Sequence, residues 1–386
     1  MPHARPSVSV VAPGRVNLIG EHIDYVGGVV MPLAIDRHVR MRARVRPGDE
    51  CRISTEISGE EKRGRIHYSD LSPRSEPGEA WLDYLVGVLA LTRDEGAELP
   101  GLEVSIESDL SSGAGLSSSA ALETAFSLAL DTCAGLERTV LERARLCQRA
   151  EHEFAGVPCG IMDQLAVGAA REGTVLRLDC ETGEWGHVKL PEDWSLVIAD
   201  TGVKHALGDG EYRGRREDCE AVLERLGAKR FRDLAPEDID AAAGKLGDRL
   251  HRRARHVVTE IARVRSFGEA LEAADADLAG RLLLESHRSL RDDYEVSCRE
   301  LDFLVEVAHS ISPERGRIGS RMTGGGFGGS TISLVRRENA PEFRDELREK
   351  YREFFGRDLE CFISRSVAGA TVESADGSGA NPPSQP

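Results

Sequence analysis

Apolar and polar residues alternate along much of the first third of the chain. Leu102, Val104 and Ile106 are separated by Glu103, Ser105 and Glu107, the period of two that predicts a strand buried on one face. Strands are likewise predicted over 7–11, 35–46, 51–57 and 65–68. Arg40, Arg42, Arg44 and Arg46, set between Val39, Met41, Ala43 and Val45, are expected to form the solvated face of such a strand. The period then changes. Leu122, Phe126, Ala129 and Leu130 recur at i, i+4, i+7 and i+8, and Gly135 supplies a stop, so a helix is predicted. Further helices are predicted over 81–94, 139–154, 211–226, 251–267, 270–290, 299–310 and 340–355, with apolar strands over 195–199, 330–335 and 360–364. Loops are expected at 69–78 and 204–212. From Ser374 onward no core-forming residue remains, and a disordered tail is expected.

Between the strand near 102–106 and the helix at Leu122 lie Gly113, Ala114, Gly115, Leu116, Ser117, Ser118 and Ser119. A helix N-terminus has unpaired N–H groups and the positive end of the dipole, so a glycine-bearing loop entering it suits a phosphate. Gly113 and Gly115 can take positive φ and bring the backbone close to phosphate oxygens. The loop has no Gly-Lys-Ser/Thr ending of a Walker loop. Nor is it a dinucleotide fingerprint, because Ser118 stands where the third small residue belongs. A flexible Ser/Gly turn is the plainer alternative.

A second polar cluster lies between Gly14 and Gly28, where Arg15, Glu21, His22 and Asp24 place a cation, two carboxylates and an imidazole in a turn-rich segment. Carboxylates accept hydrogen bonds from sugar hydroxyls and arginine pairs with phosphate, so the set suits a polyhydroxylated ligand. A surface turn tied by local ion pairs accounts equally for any one of them. Pro158 and Gly160 mark a helix start that puts Asp163 in a first turn, where the dipole favours its ionised form. Trp81 and Tyr84, three apart on one helix face, could stack on a flat base or pack in the core. Gly324, Gly325, Gly326, Gly328 and Gly329 form a second glycine-rich element that either packs on the phosphate loop or touches a ligand.

At 386 residues the chain suits two domains, and the strand at 195–199 is where a second would open. A net charge of −16 opposes a nucleic-acid partner. No apolar run approaches the roughly 20 residues of a membrane span, and the opening residues carry no apolar leader. A cytoplasmic location and no membrane partner are expected. The eight cysteines include no C-x-x-C pair, so reduced thiols are expected and a zinc site is not.

Taken together, three segments resemble the three motifs of the GHMP small-molecule kinases: 14–22 with Asp24, 113–121, and 322–329. The first is similar to the signature of the galactokinase branch, as are 159–164 and 286–297. The resemblance covers about 10–365. It implies an α+β, two-domain GHMP kinase fold, with an N-terminal ribosomal-protein-S5-like domain over 1–190 and a C-terminal ferredoxin-like domain over 191–366. The active site would lie in the cleft, and a partly disordered tail would follow over 367–386.

The implied reaction is transfer of the ATP γ-phosphoryl group to the C1 hydroxyl of α-D-galactose, with ATP and Mg2+ bound and a monomer acting alone. By the same resemblance Asp163 and Arg15 would be catalytic. Arg15, Glu21, His22, Asp24, Gly160, Asp163 and Tyr212 would bind the sugar. Residues 113–119 with Trp81 and Tyr84 would bind ATP, and Ser119 and Glu151 the metal. Ile23, Val26, Gly202, Ala206 and Gly208 to Gly210 depart from the usual pattern, which leaves an N-acetylgalactosamine or other sugar kinase as the alternative. A non-catalytic galactose and ATP sensor is a further one.

Overall fold

The computed structural model describes residues 6–57, 60–74, 78–111, 113–203 and 208–376. In chain order the strands are β1 (Ser7–Asn17), β2 (Val29–Val30), β3 (Pro32–Arg46), β4 (Glu50–Ile57), β5 (Glu60–His67), β6 (Gly101–Ser108), β7 (Thr174–Asp179), β8 (Trp185–Lys189), β9 (Trp194–Asp200), β10 (Arg317–Thr323), β11 (Ser330–Arg336), β12 (Glu360–Ser364) and β13 (Thr371–Asp376). The α-helices are α1 (Asp83–Asp94), α2 (Ser118–Ala134), α3 (Val140–Ala150), α4 (Met162–Ala169), α5 (Gly208–Leu226), α6 (Pro236–Ala241), α7 (Ala243–Glu272), α8 (Ala276–Asp292), α9 (Arg299–Ser310) and α10 (Ala340–Phe355).

The larger sheet runs β13-β1-β3-β6-β4-β5, antiparallel except where β6 meets β4. Val39, Met41 and Ala43 are buried under α2, while Arg40, Arg42 and Arg44 face solvent, as the alternation requires. The second sheet, β10-β11-β9-β12, is antiparallel throughout. Its strand β9 is buried on both faces. Leu196 and Ile198 join the main core, and Val197 and Ala199 join a smaller one with Leu304, Phe343 and Tyr351. This explains an apolar run without alternation at 195–199. A third sheet runs β2-β7-β8.

Several boundaries differ from expectation. Strand β1 continues past Val11 to Asn17, because beyond a bulge between Pro13 and Arg15 the polar segment pairs with Pro32 to Ala34 of β3. Arg15 therefore projects from a sheet and not from a loop. The helix past the phosphate loop begins at Ser118. Helix α3 passes at Glu151–Ala155 into a π-helical turn ended by Gly156. The break between α7 and α8 falls at Ala273 to Asp275, where Ala274 has φ +53 and Asp275 caps α8 through Leu278 N.

Tyr212 lies on α5 and not in a mobile loop; Lys204 to Leu207, part of that expected loop, lie outside the described residues, as do 75–77. Ser374 to Asp376, expected to be disordered, belong to β13, which pairs with β1 at Ser7 to Val11. Backbone pairing does not require apolar side chains. The remaining tail, 377–386, lies outside the described residues.

Candidate active site

The end of β1, the phosphate loop and the start of α4 meet at Arg15. Its Nε donates to Asp163 Oδ1 at 2.8 Å and its Nη2 to Asp163 Oδ2 at 2.7 Å, a two-pronged ion pair. Its Nη1 donates to the Gly115 carbonyl at 2.6 Å, and its backbone N–H to the Leu116 carbonyl at 3.1 Å. Burial opposes the Arg15 charge, but Asp163, Glu21 and Asp24 more than offset it and raise the guanidinium pKa. Ser117 stands at the N-cap position of α2 with φ 57 and makes no capping bond. Its hydroxyl donates instead to Asp163 Oδ2.

The glycine-rich segment of residues 324–329 packs on the phosphate loop and also lines a cavity. Gly115 (φ +73) and Gly324 (φ +84) approach so closely that a β-carbon on Gly324 would lie 3.3 Å from Gly115 Cα. Ser330 Oγ donates to the Ala114 carbonyl at 2.7 Å. Gly324, Gly325 and Gly326 also line a cavity of about 270 Å³ with Arg15, Glu21, His22, Asp24, Ser119, Glu151, Cys159, Gly160, Asp163 and Tyr212. Every residue expected to bind sugar or metal is thus brought to one cavity. Trp81 and Tyr84 do not line it, and Trp81 packs against the core.

The cavity residues are held unequally. Glu21 Oε1 accepts from Gly324 N at 2.8 Å and Thr323 Oγ1 at 3.1 Å, with Arg321 Nη2 at 3.4 Å, while Oε2 accepts from Asn17 Nδ2 at 3.1 Å. His22 has both ring nitrogens engaged, Nε2 with the Gly325 carbonyl and Nδ1 with Tyr25 Oη, each at 3.1 Å. A carbonyl only accepts, so Nε2 carries the proton and Nδ1 accepts from the phenol. Burial pushes the His22 pKa down to about 3, which keeps the ring neutral. Tyr25 Oη in turn lies 2.7 Å from Tyr294 Oη.

Asp24 has no cation partner among the described residues. Burial, and then the charges of Asp163 and Glu21, raise its pKa to about 7. A β-carbon on Gly160 would overlap Asp24 Oδ2, so the glycine makes room for this carboxylate. Tyr212 Oη has no hydrogen-bond partner among the described residues, and burial raises its pKa well above the usual value, so it lines the cavity as a neutral phenol.

Glu151 accepts from Gln164 Nε2 at 2.6 Å, from Cys159 Sγ at 3.0 Å and from the Ser119 hydroxyl. Burial raises its pKa. A carboxylate and a hydroxyl in contact beside the phosphate loop are the oxygen donors a hard divalent cation takes. No cluster of three or more His, Cys, Asp or Glu suited to a metal occurs among the described residues, and all eight cysteines are free thiols. Glu123, one turn beyond Ser119, is fully buried with neither oxygen partnered; burial and Glu151 drive its pKa well up, so it is neutral.

The chain matches three family segments in this order: the galactokinase galactose-binding signature over residues 3–45, the GHMP kinases N terminal domain over 83–170 and the GHMP kinases C terminal over 269–353. Galactokinase of Homo sapiens is 40% identical over 96% of this chain and 93% of its own. The chain belongs to the galactokinase family. Galactokinase of Thermococcus kodakarensis is 37% identical over 94% of this chain and 99% of its own. Lactococcus lactis galactokinase complexed with galactose superposes with a TM-score of 0.88 at 33% identity, covering 95% of each chain. The Methanococcus jannaschii mevalonate kinase shares the fold, with a TM-score of 0.65 at 18% identity over 95% of this chain and all of its own. The two-domain α+β GHMP kinase architecture expected from the motifs is therefore the fold of this galactokinase-family chain.

Sequence reasoning passed over Asn17, Gln164, Cys159, Arg321 and Thr323 as individual contributors, although each falls inside or next to a motif segment. Their role is to hold Glu21 and Glu151, and their place in or beside the motif segments was the available signal. His256 and Glu260 also reach this region, from α7, and no sequence signal marks them.

Proposed function

We infer that this chain is an ATP-dependent sugar 1-kinase that transfers the γ-phosphoryl group of ATP to the C1 hydroxyl of α-D-galactose, giving galactose 1-phosphate and ADP. The observation that carries the reading is the two-pronged Arg15–Asp163 pair, set between the phosphate loop and a cavity that also holds Asp24 and Tyr212. Phosphoryl transfer asks the protein mainly for positioning and charge neutralisation. Two nitrogens of Arg15 fix both oxygens of Asp163, and the remaining lone pairs of that carboxylate receive or orient the C1 hydroxyl. As the new O–P bond forms and the bond to the ADP oxygen breaks, the hydroxyl proton leaves toward Asp163. Arg15 is a permanent cation beside the growing negative charge.

Asp24 and Tyr212 offer an acceptor and a neutral phenol to the sugar hydroxyls. Ser119 and Glu151 would hold Mg2+, which neutralises phosphate charge when bound. Trp81 and Tyr84 remain candidates for the adenine, outside the cavity described. The test is ADP release with MgATP and a panel of galactose, N-acetylgalactosamine, glucose, arabinose and mevalonate. Galactose-dependent turnover is expected. Turnover with N-acetylgalactosamine in its place would reassign the sugar. Silence across the panel, with galactose and ATP both bound by calorimetry, would mean a sensor and overturn the kinase.

A further inference from the structure

Two residues one turn apart on α7 grip the backbone on either side of Glu21. Glu260 Oε1 accepts the Gly20 N–H at 2.9 Å, and His256 Nε2 lies 3.2 Å from the Glu21 carbonyl oxygen. The carbonyl can only accept, so Nε2 carries the proton in that bond; Nδ1 lies 3.0 Å from Ser289 Oγ, whose hydroxyl also lies 2.9 Å from Asp293 Oδ2. Burial lowers the His256 pKa to about 4 and keeps the ring neutral. Glu260 is buried as deeply, yet Arg263 Nε at 2.7 Å and Ser286 Oγ at 2.7 Å hold it ionised. Both side chains are 0% exposed, and neither lines the cavity.

The grip acts where the loop changes direction. Gly20 has φ +102, and a β-carbon there would meet Val30 Cα at 3.1 Å, so the chain turns at a position with little room to adjust. Beyond it follow Glu21, His22 and Asp24. Both gripping residues fall in 171–268, which none of the three matched family segments covers.

We propose that His256 and Glu260 are positioning residues for sugar binding, holding the backbone of Gly20 and Glu21 so that the carboxylates of Glu21 and Asp24 stay in the cavity, without touching the ligand themselves. The proposal rests on the galactose reading above. It assigns to α7, a helix outside the recognised motifs, a share of sugar affinity and none of the phosphoryl transfer.

The variants are His256→Phe, which keeps a ring against Tyr294 but loses the bond to Glu21, and Glu260→Gln, which loses the charge that orders Arg263 and Ser286. Each is expected to raise the galactose Kd by calorimetry, and the galactose KM with it, about 10-fold, the size of one buried hydrogen bond. The ATP KM and kcat should stay within about twofold, since the Arg15–Asp163 pair is left alone. A folded variant with a lowered melting temperature but an unchanged galactose Kd would overturn the proposal, because a purely structural role predicts that outcome. Should both variants fail to fold, Ser286→Ala removes a single partner of Glu260 and is expected to raise the galactose Kd about threefold; no change there would overturn it equally. Wild-type protein that binds no galactose would instead remove the proposed function.

Discussion

Two aspartates share one cavity and are held in opposite ways. Asp163 is pinned by two nitrogens of Arg15 and the hydroxyl of Ser117. Asp24 has no cation partner among the described residues, and burial with the negative neighbours Asp163 and Glu21 brings its pKa to about 7. The difference suits the two tasks proposed for them. A carboxylate that must present one lone pair to one hydroxyl gains from being locked. A carboxylate that recognises hydroxyls gains from having no cation bound to it, and it carries the electrostatic cost of standing near two others.

The strongest way to break this contrast is Asp163→Asn. Turnover should fall by about 10³-fold or more, with ATP binding by calorimetry nearly unchanged; turnover near wild type would show that the locked carboxylate has no catalytic role. Gly160→Ala comes next. The new β-carbon displaces Asp24 and should raise the galactose KM by about 100-fold, the usual scale for a 1 Å misplacement, with less effect on the ATP KM. Equal losses in both would mean that the site collapsed as a whole.

The contrast sharpens with pH. If ionised Asp24 is the hydroxyl acceptor, one proton with a pKa of about 7 makes galactose binding about 10-fold weaker at pH 6 than at pH 8, and Asp24→Asn should flatten the profile. Stability of the free protein runs the other way. Folding raises the Asp24 pKa, so its contribution is full below the ordinary carboxylate range and is lost as pH rises through about 7; melting temperatures of wild type and Asp24→Asn should converge toward low pH. The smallest effect is that of Ser117→Ala. Loss of one hydrogen bond to a locked carboxylate should lower kcat about fivefold and leave the galactose Kd alone.

The sequence displayed the periodic parts of this structure well. Helices α9 and α10 and strand β12 fall where apolar spacing puts them, because each buries one regular face or pairs in one register. It displayed the first motif only as chemistry. Arg15 to Asn17 read as a turn since polar residues and glycines crowd there, and only pairing with β3 makes them strand. The break before α8 was misplaced for a related reason: a non-glycine residue at φ +53 ends the run, and no local residue preference advertises it. The cavity residues were legible one by one, yet their division of labour was not. That His22 Nε2 is spent on the Gly325 carbonyl, and that Glu21 is tied to Thr323 and Gly324, are facts about residues some 300 positions away.

Strand β13 gives the molecule a temporal constraint. Its pairing with β1 joins Ser7–Val11 to Thr371–Asp376, so during synthesis the outer edge of the first strand waits until Thr371 and the residues after it have been made. A nascent chain of about 190 residues could collapse around β3, β6 and α2, yet it would carry an open strand edge, the feature that templates pairing with other chains. Pairing at the β1 edge is thus deferred until Thr371–Asp376 are made, and a message truncated before Thr371 would yield a protein with β1 as its open edge strand.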